Sequence, residues 1–142
     1  MTQARKQLID VSATSFYHCV SRCVRRAFLY GEDRYTKKSF NHRKQWLVER
    51  FTFLSTVFSI DIAAYAVMSN HYHLILHVDC EKGKAWSDLE VVMHWKQLYL
   101  GNELVDRWLI KESLCDAEME VVQTIIALWR NRLTDISCLF VR

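Results

Sequence analysis

The stretch Asn70-His71-Tyr72-His73-Leu74-Ile75-Leu76-His77 reads as a half-buried β-strand. Successive side chains of a strand point to opposite faces, so Tyr72, Leu74, Leu76 and Val78 form one apolar face. His71, His73 and His77 share the other. The first two stand about 7 Å apart along the strand, side by side, which suits two imidazoles to one divalent cation. A lone strand histidine is usually structural, but an H-x-H pair opposite an apolar face points to metal binding. His77, further along, is expected to be peripheral. Other H-x-H chemistries fit less well. A histidine-triad nucleotide hydrolase requires a third histidine where Ile75 stands, and a cupin barrel needs more punctuation than three glycines supply.

Working outward, Asp61–Val67 is a second short apolar run, separated from the first by Met68-Ser69-Asn70. The two runs, Asp61–Val67 and His71–Val78, are expected to form an antiparallel pair or one bent strand unit. Phe16–Val24, rich in aromatic and β-branched residues, predicts a further strand. Between them, Leu47, Phe51, Leu54 and Phe58 recur at helical spacing in the segment Ser39–Phe58, with Trp46, Phe53 and Val57 widening the stripe. Downstream, Leu89, Val92, Met93 and Tyr99-Leu100 predict a helix closed by Gly101. Met119, Val122, Ile126 and Trp129 predict another over Met119–Arg130. The order strand, helix, strand, strand, helix implies an α+β domain, its antiparallel sheet covered by helices on one face. The final segment from Leu133 reads as the opening of a further amphipathic helix. The chain is therefore expected to be a single domain, 1–142, incomplete at that last helix.

Composition narrows the classes. The 142 residues are 51% hydrophobic and 25% charged, with three glycines and no proline; average proline usage is about 5%, so Pro-rich linkers and low-complexity tails are excluded. The first residues, MTQARKQLIDVSATS, lack a secretory apolar run, and no window approaches the ~20 apolar residues of a membrane span. A cytoplasmic protein without membrane partners is the expectation. Five scattered cysteines without a CxxC pair are expected to be reduced thiols. Charge is unevenly spread: residues 1–60 hold eleven Lys and Arg against four Asp and Glu, whereas 61–142 hold eight against twelve. The basic half is a candidate surface for nucleic acid, or else a solvated charged face.

On these residues the sequence resembles a family. Ala64-Tyr65-Ala66-Val67-Met68-Ser69-Asn70-His71-Tyr72-His73 is similar to the A-x-x-[VI]-M-P-N-H-x-H signature of the HUH single-tyrosine transposases, the bacterial insertion-sequence enzymes and their REP-associated relatives. Tyr17-His18-Cys19-Val20-Ser21-Arg22, followed by Arg26 and Tyr30-Gly31-Glu32-Asp33, is similar to that family's first strand and the turn after it. The resemblance covers about residues 16–78. Cys23 stands where the family usually has glycine, and Ser69 where it has proline.

The resemblance implies a ferredoxin-like α+β domain that binds single-stranded or hairpin DNA, holds Mg²⁺ or Mn²⁺ on His71 and His73, and places Arg22 and Arg26 near the DNA backbone. It implies DNA transposition by metal-dependent strand cleavage and transfer, in a mobile element, with a homodimer as one admissible state. The cation would neutralise charge growing on the scissile phosphate, and a tyrosine on a later helix would attack to give a 5′-phosphotyrosine. This chain has no tyrosine after Tyr99, whose place in the Leu89 stripe marks it as core, so no residue is assigned as nucleophile. Two further readings stay open: a catalytically silent DNA-binding module, and a metal-dependent hydrolase of small molecules using His71, His73 and His77.

Overall fold

The computed structural model describes residues 9–22, 31–32 and 35–140. Within it the chain forms two compact units, one running through Thr56 and taking in Ile60–Val78, the other comprising Val57–Ser59 and the chain from Asp79 onward. The architecture is α+β with an antiparallel sheet, as the sequence predicts.

The first unit holds strand β1 (Phe16–Arg22), helix α1 (Asn41–Val57, all but its last residue), and strands β2 (Ile60–Val67) and β3 (His71–Val78). The order is β1-β3-β2, and both neighbours of β3 run antiparallel to it. It follows that β1 and β2 run in the same direction on either side of β3, joined by a crossover that contains α1. This is a split β-α-β unit. Strands β2 and β3 match the two predicted runs, and the hairpin between them is closed by Met68 N–H donating to the His71 carbonyl at 2.8 Å.

Alternation then sorts the sheet into two faces. Leu74, Leu76 and Val78 are buried, and Tyr17, Cys19 and Ser21 of β1 stand opposite Leu76, Leu74 and Tyr72 on the same side. Between Ile62 and Ala64 the register of β2 shifts by one residue, which is a β-bulge. Without it, Tyr65 and Val67 would fall on the opposite face from Ile60 and Ile62. With it, Ile60, Ile62, Tyr65 and Val67 all pair with apolar residues of β3. Helix α1 covers this face through Leu47, Phe51 and Leu54, with the Phe51 ring 5.2 Å from that of Tyr72 and 6.2 Å from that of Tyr65. Trp46, expected to widen the stripe, is 63% exposed. One helical step of about 100° from Leu47 already carries it past the edge of the sheet-facing side.

The second unit is helical: α2 (Cys80–Ala85), α3 (Asp88–Lys96), α4 (Glu103–Leu109), α5 (Asp116–Leu133) and α6 (Ile136–Leu139). Its core joins Val91, Val92 and Trp95 of α3 with Val105, Val122, Ile126, Trp129, Leu133, Ile136 and Leu139. The Trp95 and Trp129 rings stack 5.0 Å apart. Two expectations are corrected here. Leu89 and Met93 are 53% and 57% exposed, because α3 turns the adjacent Val91-Val92-Trp95 stripe inward, where the larger indole finds its partner. Gly101 does not close that helix, which ends at Lys96 with Gln97 as its cap. The helix begins at a capping box in which Ser87 and Glu90 satisfy each other's backbone N–H groups. Gly83 is required by proximity, since a Cβ there would lie 2.7 Å from Thr134 Oγ1.

Candidate metal centre on the open face of the sheet

Opposite its apolar face, β3 presents His71, His73, Ile75 and His77, all half-buried. Residues directly across an antiparallel pair share a face, so register decides their neighbours. From β1 come Arg22 opposite His71, Val20 opposite His73, His18 opposite Ile75 and Phe16 opposite His77. From β2 come Ala66 opposite His73 and Asp61 opposite His77.

The imidazoles of His71 and His73 are adjacent, with ring centroids 5.1 Å apart and their planes at 68°. Each has its Nδ1 engaged. His71 Nδ1 donates to Asn70 Oδ1 at 2.7 Å, which leaves the lone pair of that ring on Nε2. His73 Nδ1 lies 2.8 Å from His18 Nε2, and the two rings meet edge to edge with centroids 5.1 Å apart and planes within 16° of parallel. When His73 donates in this bond, its lone pair also resides on Nε2. Metal-ligating histidines characteristically bind through one nitrogen while the other N–H is held by an acceptor. The pair fits that pattern.

The donor set also bears on the ion. Two neutral imidazole nitrogens suit Mn²⁺ better than Mg²⁺, which prefers oxygen ligands. Among the described residues no group of three or more His, Cys, Asp or Glu side chains is placed to hold an ion. His71 and His73 are the candidate protein ligands, and any other positions on an ion there would fall to water or phosphate oxygens. His77 is apart from them. Its Nδ1 sits 3.7 Å from Asp61 Oδ2 and its ring lies 4.7 Å from Phe16, in keeping with a peripheral place.

Of the expected DNA contacts, Arg22 is exposed at the end of β1 on the same face as His71. Arg26 lies outside the described residues, as does Cys23. Tyr99 is not on a helix. It follows α3 in a turn, stacks on Trp95 at 4.1 Å and donates its hydroxyl to the Cys138 carbonyl at 3.3 Å, which is a structural role.

Sequence reasoning missed His18 and the part played by Asn70. Alternation along Phe16–Arg22 does place His18 on the face of Arg22, but its meeting with His73 depends on register. The sequence places Asn70 in the break before β3 and in the N-H-x-H match, and neither reveals its bond to His71 Nδ1. No family model, no curated protein and no solved structure matches this chain.

Proposed function

We propose that the chain is a DNA-binding domain of the HUH single-tyrosine transposase type, which binds single-stranded or hairpin DNA on the open face of its sheet. His71 and His73 hold Mn²⁺ or Mg²⁺ there, next to the phosphate to be cut. The single observation that carries this reading is the side-by-side His71–His73 pair, each ring with its Nδ1 in a hydrogen bond. A bound cation would supply Lewis-acid stabilisation of charge on the phosphate oxygens. Arg22, and Arg26 beyond it in sequence, attract the backbone and orient it across the strand ends. Asn70 and His18 hold the Nδ1 protons of the two ligands. The setting would be the cytoplasm of a bacterium, on a mobile element; no helix of the described residues is long and apolar enough to cross a membrane.

Strand cleavage needs a nucleophile, and Tyr99 is held against Trp95 with its hydroxyl on the Cys138 carbonyl, which favours a second reading, a DNA-binding module without cleavage. A hairpin DNA labelled on its single-stranded flank, incubated with the chain and Mn²⁺, separates them. A covalent protein–DNA adduct supports transposase chemistry, whereas saturable binding without adduct supports the silent module. In both cases affinity falls steeply with salt, and Arg22→Ala lowers the slope of log K against log salt by about 1. Binding of DNA that is absent or indifferent to salt would overturn both.

A further inference from the structure

Beside His71, His73 and His77, the open face carries a fourth imidazole that the metal reading does not itself require. His18 comes from β1, is exposed, and is not a core residue of its strand; the inward positions there are Tyr17, Cys19 and Ser21. Yet its Nε2 lies 2.8 Å from His73 Nδ1, and with the ring planes within 16° of parallel and the centroids 5.1 Å apart the two rings meet edge to edge, which aligns the two nitrogens. In the metal-free protein a contact of that length between two imidazole nitrogens is a hydrogen bond, with one proton between them.

A hydrogen bond between two neutral imidazoles can point either way. When His18 donates, His73 keeps its own proton on Nε2 and has no lone pair there for an ion. When His73 donates, the proton sits on Nδ1 and Nε2 becomes a ligand atom. His71 has no such ambiguity, since the Asn70 oxygen can only accept and holds the ring in the ligand-competent tautomer. The two ligands are therefore prepared differently, one by an amide oxygen and the other by an imidazole that must take the accepting role.

We propose that His18 is the positioning residue of the site: by accepting from His73 Nδ1–H through Nε2 it holds His73 in the tautomer that ligates a divalent cation through Nε2. This rests on the reading of His71 and His73 as metal ligands. The acceptor also makes His73 a more basic ligand, as acceptors behind metal-bound histidines generally do, and losing such a partner typically weakens metal binding about 10- to 100-fold.

The test uses the full chain and Mn²⁺ alone. Calorimetric titration of the wild type, His18→Leu and His18→Gln measures affinity, and long-range ¹H–¹⁵N NMR of the metal-free proteins reports which His73 nitrogen carries the proton. His18→Leu is expected to bind Mn²⁺ about 10- to 100-fold more weakly and to lose the Nδ1–H form of His73. His18→Gln, which restores an acceptor oxygen near the position of Nε2, is expected to recover most of both. Melting temperatures of the variants should match the wild type, as befits an exposed residue. Wild-type affinity and an unchanged His73 tautomer in His18→Leu would overturn the proposal alone, as would His18→Gln behaving like His18→Leu. A wild type that takes up no Mn²⁺ would overturn the metal reading and this one with it.

Discussion

At the scale of single residues, what matters is which ring nitrogen keeps its proton. Asn70 and His18 answer that for His71 and His73 on the open sheet face. In the helical unit His94 is governed by a different balance. Its ring lies 4.3 Å from that of Trp86, and burial holds its pKa below the ordinary value, with Glu90 pulling upward and Lys82 adding to the decrease. A histidine whose folded pKa is depressed binds fewer protons than in the unfolded chain, so stability rises with pH across that window. Acidification from pH 7.5 to 5 should therefore destabilise the wild type more than His94→Phe, which keeps an aromatic ring beside Trp86 and has no proton to gain. Melting curves across that range check it, and equal losses in the two proteins would count against it. That His71 and His73 share one face was legible in the sequence, because alternation is a local property and His71, Tyr72 and His73 are consecutive. His18 was not, since its distance to His73 depends on how β1 registers against β3, and 48 residues lie between Arg22 and His71 without fixing that register.

At the scale of elements, β3 does two things at once. Its even positions face the core and its odd positions the open face that carries the candidate site. Leu76 is fully buried, and Leu76→Ala should cost about 2–5 kcal/mol through lost burial and the cavity left behind. His77→Ala, on the half-exposed face, should cost far less. Chemical denaturation of the two variants distinguishes them, and similar losses would contradict the assignment of faces. The strand pair was readable almost to the residue, with β3 predicted and found at His71–Val78, because a period of two and a short polar break leave little freedom. The bulge in β2 was not, because the extra residue is seen only once Ile62 and Ala64 are set against Leu76 and Ile75. Helix α3 was recognised as a helix but turned wrongly. Leu89 and Met93 make as good a stripe as Val91, Val92 and Trp95, and the choice is made by Trp129, more than thirty residues away in sequence.

At the scale of the whole molecule, charge and site fall in the same part of the chain. The unit containing the sheet carries eleven Lys and Arg against five Asp and Glu, and the helical unit eight against eleven. Under the proposed function a polyanion would be drawn to the unit that displays His71, His73 and Arg22, and its phosphates would supply the oxygen ligands that two imidazoles leave to be filled. Everything in this account depends on those two rings acting together on one ion. Calorimetric titration with Mn²⁺ of the wild-type chain and of the doubly substituted His71→Ala, His73→Ala chain tests this directly. Saturable uptake by the wild type, abolished in the double variant while its melting temperature is kept, is the predicted result; undiminished uptake by the double variant would contradict it.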